Sequence, residues 1–220
     1  MSRELWEREY LEHAISSSTN VRPSHGATFV ERHLATIAAV DGPPRLLDLG
    51  CGGGRNVPVL EKTGFDFHGM DYAHRPLVRA GRFATRLVQA SMTAPLPFGS
   101  GVFSAVTAFT SVENLRRDED LRVLAGEVRR VLCRGGLWLV YFMTPEDTYY
   151  RPLIEPGFGD RSLTHDPVTG LRQRVYRVAE LCDLFGPSLR LLDTEEFAFT
   201  DVRSAGTYER RLAAGLWRRD

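Results

Sequence analysis

The stretch Leu46-Leu47-Asp48-Leu49-Gly50-Cys51-Gly52-Gly53-Gly54-Arg55-Asn56 decides the fold. Leu46–Leu49 is a short apolar run, and glycines follow it at once, so a buried strand ends here in a tight turn. Glycine suits such a turn because residues with a Cβ resist its φ values, and because a ligand can then approach bare backbone. A helix beginning near Gly54 adds free N–H groups and the positive end of its dipole. Asp48, at the strand tip, faces a cationic or amino-bearing ligand.

Downstream of the loop, short apolar runs alternate with helical segments. Strands are expected over Phe65–Met70, Arg86–Gln89, Val102–Thr110 and Leu137–Met143, and helices over 73–82 and Asp118–Leu132. In the last helix Leu121, Leu124 and Val128 recur at helical spacing, and Arg134-Gly135-Gly136 stops it. This alternation argues for right-handed βαβ units around a buried parallel sheet. Upstream, helices are expected over 3–14 and roughly 26–39, separated by the polar loop Ser16-Ser17-Ser18-Thr19-Asn20. After Thr144-Pro145 the rhythm breaks. Residues 145–170 are rich in Pro, Gly, Asp and Tyr, and connections of that length tend to carry function. Asp166–Gly170 reads as a turn between short strands near 161–165 and 171–176. A helix near 178–185 and two strands, about 189–199 and 207–217, then close the sheet as an antiparallel pair.

Composition narrows the classes. The 220 residues are 43% hydrophobic and 25% charged, ordinary for one soluble domain with its own core. No apolar run approaches the roughly 20 residues that span a bilayer. The N-terminal Met1–Arg8 carries acids and lacks a signal peptide's apolar stretch, so a cytoplasmic location is expected. Lys plus Arg and Asp plus Glu are 28 each. With basic knots only at Arg116-Arg117, Arg129-Arg130 and Arg218-Arg219, this balance counts against nucleic acid as a partner. Cys51, Cys133 and Cys182 lie far apart without ligand spacing, which argues against a disulfide framework or a metal site.

The glycine loop fails the dinucleotide fingerprint G-x-G-x-x-G, because Arg55 or Val57 falls where the third glycine belongs. It fits D-x-G-x-G-x-G through Asp48, Gly50, Gly52 and Gly54. In this it resembles the first motif of the class I S-adenosylmethionine-dependent methyltransferases, a likeness that runs from about residue 40 to 144 and loosely to the end. The resemblance implies an α/β, Rossmann-like fold with a mostly parallel seven-stranded sheet, a C-terminal antiparallel pair, and helices on both faces. It also implies one domain: a helical lid over 1–40, a cofactor core over 41–144, a substrate-side insertion over 145–176, and a closing helix and strand pair over 177–220.

The implied cofactor is S-adenosyl-L-methionine. Asp48, Gly50, Cys51, Gly52, Gly54 and Asn56 would hold it at the glycine loop. Asp71 with Tyr72, about twenty residues on, would grip the ribose hydroxyls through charge-assisted hydrogen bonds. Ser91 and Met92, within Val88–Phe98, stand in the adenine segment. Many members carry Asp where Ser91 stands, and a hydroxyl is a weaker acceptor. Phe109 opens the segment Phe109–Leu115 that in relatives lines the sulfonium and the acceptor. Glu127–Gly136 matches the family's helix and glycine turn before strand five.

Methyl transfer from a sulfonium needs no metal; it needs alignment, a water-poor site and, for an O–H or N–H acceptor, a base. Glu113 at the tip of strand four is the first base candidate, its alternative being a solvated Glu paired with Arg116 or Arg117. His165 in the insertion is the second, ahead of His13 and His25. Trp6 and Tyr10, one helical turn apart, either fold over the cofactor or dock their own helix. Tyr141, Phe142, Tyr149, Tyr150 and Phe158 give the insertion an aromatic character suited to a flat small-molecule acceptor, or to packing on itself as a cap. A cyclase or decarboxylase on the same cofactor, or a cofactor-binding regulator, would share every cofactor residue.

Overall fold

The computed structural model describes residues 3–12, 23–81, 86–156, 162–167, 169–203 and 206–220. His13, Phe158 and the loop Ser16–Asn20 lie outside them. Five parallel strands form the centre: β1 (Arg45–Leu49), β2 (Asp66–Asp71), β3 (Leu87–Gln89), β4 (Phe103–Phe109) and β5 (Leu132–Met143). A two-stranded hairpin, β6 (Ser162–His165) and β7 (Arg172–Val175), lies outside the main sheet. The last two strands, β8 (Leu189–Arg203) and β9 (Gly206–Arg219), complete a seven-stranded sheet of order β3-β2-β1-β4-β5-β9-β8, with β9 antiparallel to both neighbours.

Both faces of the sheet are buried, as the unbroken apolar strands require. Along β5, Trp138, Val140 and Phe142 enter one core with Leu121, Leu124 and Val128 of α6 (Asp118–Val131) and Leu181 and Leu184 of α7 (Val178–Phe185). The alternate residues Leu137, Leu139, Tyr141 and Met143 enter the other core. There they meet Phe29 and Val30 of α2 (Gly26–Arg32), Ile37 of α3 (Leu34–Ala38) and Val59 and Leu60 of α4 (Val57–Leu60). The remaining helices are α1 (Arg3–Glu12) and α5 (His74–Ala80).

Strand β5 begins at Leu132 rather than Leu137, and two helical segments also depart from the sequence reading. The segment expected as one helix over 26–39 breaks at His33 (φ −101°, ψ 9°), whose ring nitrogens bond Phe29 O at 2.8 Å and the Asp193 carboxylate at 3.0 Å. The helix after the glycine loop starts at Val57 rather than near Gly54. Gly54 has φ +78°, outside any right-handed helix, and a pair of turns, Gly54 N to Cys51 O and Val57 N to Gly54 O, comes first.

Candidate cofactor cleft and adjoining cavity

Strand order reverses between β1 and β4, and a parallel sheet that does so leaves a crevice at its carboxyl ends. The cleft found there encloses about 870 Å³, part of it open to solvent. Its floor is the glycine loop, held down where Gly50 N and Cys51 N both donate to Met70 O at 2.7 and 3.0 Å. Gly50 (φ +71°) sits so close to β4 that a Cβ would lie 2.5 Å from Ser111 Cβ. Ser111 in turn donates to Leu49 O at 2.7 Å, tying the tip of β4 to the tip of β1. Beside it Thr110 takes φ +47°. A β-branched residue in that region is strained, and strain of this kind gathers at functional sites.

Two carboxylates face the cleft from adjacent strand ends. Asp48 is 2% exposed and accepts from Thr107 Oγ1 at 2.8 Å. Burial raises its pKa to about 7. Asp71 is 8% exposed and accepts from Gly52 N and Ala73 N, each at 3.0 Å; burial raises it to about 6. Backbone N–H bonds occupy only part of a carboxylate's roughly four acceptor sites, so hydroxyl donors can still be received.

A lid closes the cleft from above. Gly53 N donates to Tyr10 Oη at 3.0 Å, and Trp6 Nε1 donates to Asn114 Oδ1 at 3.3 Å. Glu7, between them, accepts from His74 N at 2.6 Å and Arg75 N at 3.0 Å at the start of α5. Burial, with Asp71 nearby, holds the Tyr10 phenol above its ordinary pKa, so it stays protonated.

Of the residues singled out from the sequence, Asp48, Gly50, Cys51, Gly52, Asn56, Asp71, Tyr72, Met92 and Phe109 line the cleft. Asn56 is spent inside it, its Oδ1 accepting from both the N–H and the hydroxyl of Ser24. Gly54 is buried behind the loop and Ser91 turns away, its Oγ bonded to Thr93 Oγ1 at 2.8 Å. The sequence reading did not single out Gly53 or Arg55 as cofactor contacts and took Thr110, Ser111 and Asn114 only within the segment Phe109–Leu115, yet all line the cleft. The signal for Arg55 was its place directly after the last glycine.

The base candidates are not brought to the cleft. Glu113 is fully buried, accepts from Met143 N at 2.8 Å through Oε1, and has its carboxyl pushed up to about 8 by burial. It braces the turn after β4 against the end of β5. His165 is exposed on β6, 3.9 Å from Glu155. His25 is stacked on Phe199 at 3.8 Å. The aromatic residues of the insertion also serve the scaffold. Tyr141 and Phe142 are core, while Tyr149 and Tyr150 pack edge to face and lie against the Arg210 guanidinium, which Asp147 holds at 2.7 Å. The packing of β5 and of the C-terminal hairpin claims these rings.

A second cavity of about 1370 Å³, also partly open, shares Tyr72 and Asn114 with the first. Apart from Leu163, its other walls are polar residues: Ser91, Thr93, Arg116, Arg117, Asp120, Glu155, Thr164 and Arg172.

Residues 47–140, the span that carries the glycine loop, both carboxylates and the tip of β4, match the methyltransferase-domain family model. Over this stretch, a little under half of the chain, the sequence is similar to that family. A curated relative, an uncharacterized methyltransferase of Synechocystis sp., is 29% identical over 119 residues, 52% of this chain and 54% of its own. The chain therefore spans about half the length of the curated relative it matches. Among solved structures the chain is similar to the Burkholderia thailandensis 1,6-didemethyltoxoflavin-N1-methyltransferase crystallised with 1,6-didemethyltoxoflavin and S-adenosylhomocysteine (TM-score 0.70, 15% identity, 99% of this chain and 86% of that one). It is also similar to a SAM-dependent methyltransferase of Methanosarcina mazei (0.65, 16%, 80% and 92%) and to the CcbJ methyltransferase of Streptomyces caelestis (0.62, 18%, 90% and 90%). At these identities the likeness is one of fold. Among the described residues no helix is long and apolar enough to cross a membrane.

Proposed function

We propose that this protein is a cytoplasmic S-adenosylmethionine-dependent methyltransferase acting on a small organic acceptor. The observation that carries the reading is the pair of buried carboxylates, Asp48 and Asp71, converging on a glycine loop inside a matched methyltransferase domain. The fit to the cofactor is chemical. Asp48 lies where an ammonium would restore its charge, and Asp71 retains acceptor capacity for a vicinal diol. The Cβ-free backbone at Gly50 and Gly52 lets Ser111 and the Tyr10 hydroxyl close against the loop, while Met92 and Phe109 offer apolar surface to a flat ring. When bound, the cofactor supplies a methyl group on a positively charged sulfur.

What the chain contributes is alignment and exclusion of water. Trp6 and Tyr10 cover the cleft, and a site closed in this way strengthens each polar contact inside it. Asn114, held by Trp6 and by its own donation to Ser111 O at 3.1 Å, stands at the opening between the two cavities, where an acceptor meets the cofactor side. The small molecule bound in the Burkholderia neighbour supports a small acceptor here. Parallel calorimetric titrations with S-adenosylmethionine, S-adenosylhomocysteine and NAD test the reading. Binding of the first two without NAD is expected, and formation of S-adenosylhomocysteine in turnover then separates methyl transfer from other uses of the cofactor. Binding of NAD alone would withdraw the proposal.

A further inference from the structure

We propose that the polar cavity beside the cleft receives an anionic acceptor, a small organic molecule bearing one carboxylate, and that Arg116 binds this carboxylate; the inference rests on the methyltransferase reading and narrows its substrate class. Five charged side chains line the cavity: Arg116, Arg117, Asp120, Glu155 and Arg172. Four of them are already matched. Arg117 forks onto Asp120 through Nε at 3.0 Å and Nη2 at 2.5 Å, and Arg172 lies 3.8 Å from Glu155. Arg116 makes no hydrogen bond or ion pair among the described residues. Its field reaches Asp120 only as the weakest of several influences, behind Arg117.

Arg116 is nonetheless half-buried at the cavity wall. A guanidinium taken partly out of water without a counter-charge carries a desolvation cost that an incoming anion relieves. Its planar fork also suits a carboxylate better than a lysine would. The charge count sets the valence of the ligand. Three cations against two anions leave a single positive charge, which a carboxylate neutralises and a phosphate dianion exceeds. The position sets the direction. Arg116 follows Asn114 by two residues, so an acid anchored there sends the rest of the molecule toward the wall shared with the cofactor cleft. Ser91 and Thr93, whose hydroxyls bond each other, and Thr164, which donates to Gln173 O, are the neutral polar groups of its lining.

Ligand-observed NMR titration of the S-adenosylhomocysteine-saturated protein with benzoate, benzamide and phenyl phosphate tests this directly. Benzoate is expected to bind on the order of ten- to hundred-fold more tightly than benzamide, the range of a charge-assisted pair. It should also bind more tightly than phenyl phosphate. Arg116→Gln should erase the preference over benzamide, and Arg116→Lys should keep part of it. Equal binding of benzoate and benzamide overturns the inference, and so does a benzoate preference that survives Arg116→Gln. Tighter binding of phenyl phosphate overturns the monoanion. S-adenosylhomocysteine affinity is measured on each variant. If it is intact while benzoate is not preferred, the anion site alone falls; if the wild type fails to bind it at all, the methyltransferase reading falls and takes this inference with it.

Discussion

The cofactor cleft and the polar cavity share Tyr72 and Asn114, yet they are built by opposite means. The cleft is made of main chain: one continuous loop, the tips of β1, β2 and β4, and amide donors fixed by strand pairing. The cavity is made of long side chains brought from three separate parts of the chain, 91–93, 116–120 and 155–172. A site made of backbone tolerates little change because the fold itself passes through it. One made of arginine and threonine ends can be rewritten residue by residue without touching the sheet. On the proposed function, specificity is expected where substitution costs the fold least.

The sharpest way to break this comparison is to substitute the loop and the cavity in parallel. Gly50→Val puts a β-branched side chain at φ +71° and into Ser111. Strain and overpacking together should cost about 3–5 kcal/mol of stability. Binding of S-adenosylhomocysteine should be lost. Arg172→Ala, at a half-exposed side chain of the cavity, should change stability by less than about 0.5 kcal/mol. Thermal unfolding of both variants decides the matter, and equal losses would mean that the two sites are not built differently after all.

Next in size is Asp71→Ala. If Asp71 receives ligand hydroxyls as proposed, its deletion should weaken S-adenosylhomocysteine binding by about 1.5–3 kcal/mol in calorimetry. An unchanged affinity would remove Asp71 from the site and leave it as a brace for Gly52 and Ala73.

The same contrast explains what could be read from the sequence. The glycine loop and Asp48 were legible because a strand end and a turn are local, whereas Asp71 was placed by the family resemblance at the end of the following strand. The parallel strands were legible through apolar runs and their alternation with helices, as was the C-terminal antiparallel pair; the count of seven came with the family resemblance, and the strand order is seen only in the structure. Glu113 misled because its position at a strand tip says nothing about which way its side chain turns. Only the packing of β5 shows that Met143 N claims its carboxylate. The aromatic run of the insertion misled for a similar reason, since Arg210, more than fifty residues on, draws Tyr149 and Tyr150 into the scaffold. Residues whose partners are distant in sequence cannot be assigned from spacing alone.

Glu113 itself gives a smaller, pH-dependent effect. Its folded-state pKa is raised from 4.5 to about 8, so between these values the folded protein keeps a proton that the unfolded chain has released. Stability from this group is complete below about pH 4.5 and declines as pH rises toward 8, by at most about 1.4 kcal/mol per pH unit. Asp48 and Asp71, raised to about 7 and 6, add slopes of the same sign over lower windows. Glu113→Gln keeps an oxygen for Met143 N and has nothing to titrate. Its unfolding free energy should therefore vary less steeply with pH from 5 to 8 than the wild type's. A parallel pair of curves would show that the carboxyl is ionised throughout and that a charge partner is supplied to it.

The smallest effect expected is at the lid, which belongs to neither way of building. Tyr10 touches the backbone site through a side chain, accepting from Gly53 N, and a Cβ on Gly52 would come within 2.4 Å of its hydroxyl. Tyr10→Phe removes that one acceptor and keeps the ring. Gly53 is only half-buried, so water can take over its N–H, and the loss should be at the low end for a neutral hydrogen bond, about 0.5–1.5 kcal/mol in S-adenosylhomocysteine affinity. Because the lid gates entry and exit, the change should fall on dissociation rather than association in stopped-flow measurement. If the variant binds and releases as the wild type does, α1 is held down by its other contacts, Trp6 and Glu7 among them, and the Tyr10 contact follows closure without contributing to it.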